Sequence, residues 1–136
     1  MRLLAIDFGF KRIGIAIGNS EFAIATSKPT LKASGKLKTD AEAIYQIAKK
    51  EDAEAFVVGI PYFSDGSESK FTKICLKFTE ELKKFNLPVH TIDEAISSIQ
   101  ADTQLKEMGY KGAARKKLKD SEAACEILYR YFKNKP

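Results

Sequence analysis

Apolar residues fall in short runs through the first part of the chain and at helical intervals later. Residues 3–6 form an uninterrupted apolar run that ends in Asp7, and residues 13–17 and 22–26 predict two further short strands. Gly9 and Gly14 punctuate the first connection, as suits a tight turn between antiparallel neighbours. Residues 28–38 are polar, contain Pro29 and Gly35, and predict a loop. A helix then starts at Thr39, where Thr39 and Glu42 have capping-box spacing and Ala41, Ile44, Ile47 and Ala48 recur on one face. Residues 55–60 predict a buried strand stopped by Gly59 and Pro61, and the polar turn 64–67 leads into a second helix. Its stripe is Phe71, Ile74, Cys75, Phe78, Leu82 and Phe85, with Asn86 and Pro88 ending it. Strand five covers residues 89–92, a helix about 97–108, a basic loop 109–117, and a last helix about 120–132. The order βββαβαβαα implies one α/β domain over residues 1–136. Its mixed five-stranded sheet has three antiparallel strands and then parallel ones, with helices on both faces.

The bulk numbers narrow the class without naming it. The 136 residues suffice for one continuous core, and 44% hydrophobic with 30% charged is ordinary globular composition. No apolar run approaches a membrane span, and an acid at position 7 interrupts any leader before it develops, so the expected location is the cytoplasm, with no membrane partner. Cys75 and Cys125 lie in helical patterns without framework spacing and read as reduced packing thiols. With one histidine, His90, they cannot form a tetrahedral zinc site unaided by carboxylates. A formal net charge of +5 favours polyanionic partners.

Three acids stand where apolar patterns end. Asp7 closes a strand expected to be central, where an ionised carboxylate is costly without a cation or several donors. Asp93, with Glu94 beside it, repeats that arrangement at the carboxyl end of strand five, the edge at which open α/β sheets bind ligands. Asp120 precedes Ala123, Ala124, Ile127, Leu128 and Tyr131 at helical spacing, which aligns it with the buried stripe, whereas Glu122 points elsewhere. Each has an ordinary alternative: a turn cap for Asp7, helix-dipole chemistry for Asp93 and Glu94, an N-cap for Asp120. Together they compose an all-oxygen set suited to Mg²⁺ or Mn²⁺. Two such ions about 3.5–4 Å apart activate water and stabilise the leaving oxygen of a phosphodiester. A serine triad would have to use His90, and no nucleophile-elbow motif surrounds any serine.

At these residues the chain resembles the YqgF/RuvX family, relatives of the Holliday-junction resolvase RuvC within the RNase H-like superfamily. Residues 5–16, from Ala5-Ile6-Asp7-Phe8-Gly9 through Lys11-Arg12-Ile13-Gly14, are similar to its first motif. Val57-Val58-Gly59-Ile60-Pro61 with Asp65-Gly66-Ser67 is similar to its second, Asp93-Glu94 with Ser97-Ser98 to its third, and Asp120 with Ala123-Ala124 to its fourth. The resemblance implies an RNase H-like fold and a nuclease that trims the 5′ end of 16S ribosomal RNA precursor, with junction resolution as an older proposal. By position it makes Asp7, Asp93 and Asp120 the metal-binding acids and Glu94 a further candidate. Two departures stand out: Ala95 where the family commonly has arginine, and Gly59-Ile60-Pro61 where RuvC carries an acid on its fourth strand.

Basic residues surround the acids. Lys106, Lys111, Arg115, Lys116, Lys117 and Lys119 crowd the segment before Asp120, with Gly109 and Gly112 among them, and Lys11 and Arg12 follow Asp7. Lys11, Arg12, Arg115, Lys116 and Lys117 are accordingly the candidate nucleic-acid contacts, holding a phosphate backbone against a centre that otherwise repels it. Any single lysine of the set also fits a solvated loop. Tyr62 and Phe63 suit stacking on unpaired bases, and suit packing under the neighbouring helix better. The expected partners are pre-rRNA or branched DNA and ribosomal precursor particles, for a monomer or weak homodimer with Phe10 or Phe63 at the dimer patch. Two rivals differ in kind. An actin-like nucleotide-binding relative would share Asp7-Phe8-Gly9 but needs a second domain, and a non-catalytic RNA-binding module would keep the fold without turnover.

Overall fold

The computed structural model describes residues 1–96 and 117–134, with side chains described at all of these but 96 and 117–121. The elements in chain order are β1 (Arg2–Asp7), β2 (Arg12–Asn19), β3 (Ile24–Lys32), α1 (Leu37–Lys50), β4 (Ala55–Phe63), α2 (Lys70–Leu82), a 3₁₀ turn (Lys83–Phe85), β5 (Val89–Ile96) and α3 (Lys117–Asn134). The strands form one sheet in the order β3-β2-β1-β4-β5. The β1–β2 and β2–β3 pairs are antiparallel, and β1–β4 and β4–β5 are parallel. This is the mixed sheet that the sequence predicts. The helix expected over 97–108 and the basic loop before Lys117 lie outside the described residues.

Alternation along the strands divides the core in two. Leu4, Ile6, Ile13, Ile15, Phe56, Val58 and Ile60 face α1 and α2, where they pack with Ile44, Phe71, Phe78 and Leu82. Leu3, Ala5, Ala16, Ala55, Val57 and Ile92 face α3 and meet Ala124, Ile127 and Leu128. Helices therefore cover both faces.

Four element boundaries differ from expectation, each for a local reason. The edge strand β3 runs over residues 24–32 rather than 22–26, and Phe22 is 68% exposed. An edge strand has one paired side and one covered face at most, so its residues need not alternate cleanly. Ile13 pairs with Leu31 and Ile15 with Lys28, so Pro29 and Thr30 bulge opposite Gly14. Helix α1 starts at Leu37 after an N-cap Lys36 that makes no side-chain cap bond, so the Thr39–Glu42 spacing does not mark its start. Strand β4 passes through Gly59 and Pro61 to Phe63 because β1 has already ended: beyond Ile6 with Val58, β4 is paired only with β5. The Pro61 carbonyl is instead taken by the Thr72 hydroxyl. Thr72 also closes a capping box with Ser69 at the start of α2. Finally, β5 continues to Ile96, so Asp93 and Glu94 lie within the strand rather than beyond it.

Candidate functional site

Residues Leu3, Ala5 and Asp7 alternate onto the α3 face of β1, and Asp7 ends the strand half-buried opposite Gly14 of β2. One step past the last β1–β4 pair, Ile6 with Val58, the register sets Gly59 on the other side of Asp7. The acid thus has a glycine on each flanking strand. A Cβ at Gly59 would lie 2.7 Å from Ile127 Cδ1 and 3.1 Å from Glu94 Oε2. The Glu94 carboxylate is therefore drawn across Gly59, toward the strand that carries Asp7.

Strand β5 sets its two acids on different faces of the sheet. His90 stacks obliquely on Tyr131 of α3 with ring centroids 5.3 Å apart, Ile92 joins the α3 core, and Glu94 Oε1 lies 3.8 Å from Arg130 Nη1. Positions 90, 92 and 94 thus face α3. Asp93 pairs with Ile60, a residue of the α1–α2 core, and alternates to that side, where it is exposed near Tyr62. Its charge, with that of Glu68, adds to the burial that raises the Tyr62 hydroxyl above its ordinary pKa. The structure brings Asp7 and Glu94 to one face and sets Asp93 on the other. Sequence spacing alone had ranked Glu94 behind Asp93, although strand alternation holds the signal that separates them.

Glu94 has its own electrostatic surroundings. Burial pushes the Glu94 carboxyl above its usual range; Arg130 pulls it back, and Glu126 of α3 raises it further. Burial pushes the Cys75 thiol, on the α1–α2 side of the sheet, well up, and the charges of Asp7 and Glu94 add to that rise. Glu126 and Arg130 are site neighbours that sequence reading did not single out. Their i, i+4 spacing on the helix opposite β5 is the signal that could have found them.

Helix α3 supplies the third side. Ile127 lies over Gly59 at the Asp7 end of the sheet, whereas Leu128 and Phe132 approach Gly18, which pairs with Leu3 near the opposite end. The helix therefore descends from the Asp7 end, and position 120, two turns before Ile127, lies toward that end. The side chains of Asp120 and Lys117 are outside the described residues, as are Arg115 and Lys116 altogether. Of the basic pair after Asp7, Arg12 is half-buried, and Lys11 has its Nζ enclosed without a hydrogen-bond partner among the described residues. Tyr62 packs against the α1–α2 core, and Phe63 lines an open groove of about 390 Å³ with Tyr62, Ser64, Asp93, Glu94 and Ala95. Cys75 and Cys125 are both free thiols.

The mixed sheet with an acid at the end of its first, central strand defines an RNase H-like fold. It superposes on Thermus thermophilus RuvC, solved with a Holliday-junction substrate, with a TM-score of 0.59 at 14% identity, covering 98% of this chain and 94% of that one. The RuvX family profile, described as Holliday junction resolvase, matches residues 1–134, and the chain belongs to that family. A relative from Methylobacillus flagellatus named "Putative pre-16S rRNA nuclease" is 40% identical over 96% of this chain and 89% of its own length. One of the same name from Nitratidesulfovibrio vulgaris is 35% identical over 97% and 93%. Family and fold together make this a nuclease-type protein, a hydrolase class acting on nucleic acid. Among the described residues, no helix is long and apolar enough to cross a membrane.

Proposed function

We propose that the chain is a cytoplasmic, divalent-metal-dependent nuclease that hydrolyses phosphodiester bonds at the Asp7–Glu94 end of the sheet, with the 5′ end of pre-16S rRNA as substrate. One observation carries the reading: the Glu94 carboxylate overlies Gly59, the residue beside Asp7 in the sheet. Two hard oxygen donors on one face fit Mg²⁺ or Mn²⁺, which commonly takes one or two carboxylates and completes its shell with water and phosphate. The half-buried Glu94 carboxylate, flanked by Glu126, gains from a cation more than an exposed acid would. When bound, the metal lowers the pKa of the attacking water and stabilises the leaving oxygen; a pair of ions would do both at once.

The chain's own residues do the remainder. Asp7 and Glu94 hold the centre, and Asp120, from α3, is the expected third acid. Arg130 restrains Glu94 and offers a guanidinium to a phosphate oxygen, while Arg12 and the basic segment that ends at Lys117 hold the backbone against the acidic centre. Asp93, on the opposite side of β5, has no direct part in the chemistry. The choice of pre-rRNA over branched DNA follows the names of the relatives.

The test is cleavage of a pre-16S rRNA fragment and of a four-way DNA junction, with and without Mn²⁺, by the parent chain, Asp7→Asn, Glu94→Gln and Asp93→Asn. Metal-dependent cleavage of the RNA, lost in the first two variants and kept in the third, is expected. Cleavage of the junction alone would move the substrate to DNA. Absence of cleavage on both, with RNA binding unchanged by Asp7→Asn, would leave a binding module.

A further inference from the structure

The β1–β2 turn and the segment between β3 and α1 border a second concavity, on the α1–α2 side of the sheet, that the hydrolytic reading leaves unused. It is a cleft of about 400 Å³ whose lining includes Phe8, Phe10, Leu37, Asp40, Ile74 and Lys77. The walls are aromatic and aliphatic, with the Phe8 and Phe10 rings edge to face at 6.2 Å. Phe8 directly follows Asp7, so the cleft lies at the same end of the sheet as the acids, turned to the other face.

Asp40 is the anomaly in that lining. The residue is 2% exposed; its Oδ1 accepts the Ser34 N–H at 2.9 Å, and its Oδ2 is buried with no hydrogen-bond partner among the described residues. The first turn of α1 favours a negative charge there, yet a helix dipole does not satisfy a lone pair. An acceptor kept from water without a donor lowers stability, and such a group calls for an explanation, of which a ligand donor is one. Gly35, on the rim, adopts a left-handed φ of 85°, and no atom lies within 4 Å of the place a Cβ would take. The Cβ side of Gly35 thus faces open space, and a ligand would reach the shielded Oδ2 only by displacing this rim. Lys77 adds a cation on the α2 wall.

A ligand matching these walls has a flat aromatic body, N–H donors on one edge and an attached anion. We propose that the Phe8–Phe10–Asp40 cleft is a nucleobase pocket that holds an unpaired guanine nucleotide. The base lies against the phenylalanines, its adjacent imino and amino protons go to Asp40 Oδ2, and its phosphate meets Lys77. The choice of a nucleotide rests on the nucleic-acid reading above; the pocket itself needs neither the metal nor Asp7. A strand laid over the carboxyl end of β1 would set one phosphate at the acids and a nearby base in the cleft, which would give cleavage a sequence preference.

The test is an amide NMR titration of the whole protein, without divalent cation, with GMP, AMP and UMP. Saturable shifts with GMP centred on Gly35, Leu37, Asp40 and Ile74, weaker with UMP, are expected. Phe10→Ala should weaken GMP about tenfold by loss of stacking. Asp40→Asn should remove the preference for GMP over UMP; should that variant fail to fold, Lys77→Gln carries the test by weakening all three nucleotides alike. No saturable shift at millimolar nucleotide, or shifts centred on Asp7 and Glu94, would overturn the pocket. Binding in the cleft by a chain that cleaves nothing would keep the pocket and remove the nuclease reading, so the two fail separately.

Discussion

The two faces of the sheet are built from different materials. Toward α1 and α2 the strands present Leu4, Ile6, Ile13, Ile15, Phe56, Val58 and Ile60, and the helices answer with Phe71 and Phe78. Toward α3 they present Ala5, Ala16 and Ala55 among Leu3, Val57 and Ile92, with Gly18 and Gly59 where α3 packs against the sheet. Bulk on the first face supplies most of the area removed from water, the main favourable term in folding. Small residues on the second let α3 lie close to the sheet, with Ile127 packed over Gly59 beside Asp7. On the proposed reading the chemistry sits on the α3 side and the bulkier packing on the other, so perturbing each side should have a different outcome.

The largest expected effect separates chemistry from folding. Asp7→Asn should lower metal-dependent cleavage by about 10³-fold or more, since several kcal/mol of transition-state stabilisation goes with the centre, while the thermal midpoint moves little. Phe78→Ala, in the middle of the bulky face, should do the reverse. It should cost about 3–5 kcal/mol in denaturant unfolding and leave cleavage per folded molecule unchanged. A Phe78→Ala protein that is stable but inactive would break the division between the faces.

Gly59→Ala tests the seam between the two roles. The added methyl would meet Ile127 Cδ1 at 2.7 Å and Glu94 Oε2 at 3.1 Å, so α3 or the carboxylate must move. A loss of about 1–3 kcal/mol is expected from overpacking, together with a higher Mn²⁺ requirement for cleavage. A change in stability with no change in metal requirement would detach Gly59 from the site.

The smallest effect is in pH. Burial raises the Glu94 carboxyl, so the folded chain keeps that proton to higher pH than the unfolded chain does. Its contribution to stability is then complete below the unfolded pKa and is lost as pH rises through the raised folded value. Without divalent cation, the parent's melting temperature should therefore fall over the weakly acidic range more than that of Glu94→Gln. Identical profiles would show that Glu94 is not held in a desolvated site.

Much of this arrangement is legible in the sequence, because the apolar runs of β1, β2 and β4 and the stripe of α2 are set by burial. The boundaries of β3, β4 and β5 are not, for a shared reason: they depend on which neighbour a strand has lost. Pro61 reads as a strand terminator until β1 is known to end at Asp7, leaving one side of β4 without a partner strand. Residues 28–32 read as the start of a loop until β3 is known to be an edge. The end of β5 matters most for function. Placing Asp93 and Glu94 beyond the strand leaves both free to turn toward Asp7, whereas pairing as far as Ile96 fixes them on opposite faces. Asp40 escaped notice because a polar residue in the first turn of a helix is unremarkable until its burial is known.

Mn²⁺ affinity, measured by titration calorimetry on the parent chain, Glu94→Gln and Asp93→Asn, tests the pairing of Asp7 with Glu94 most directly. The account predicts a loss of about tenfold or more for Glu94→Gln and parent-like binding for Asp93→Asn. Parent-like binding in Glu94→Gln together with lost binding in Asp93→Asn would contradict it.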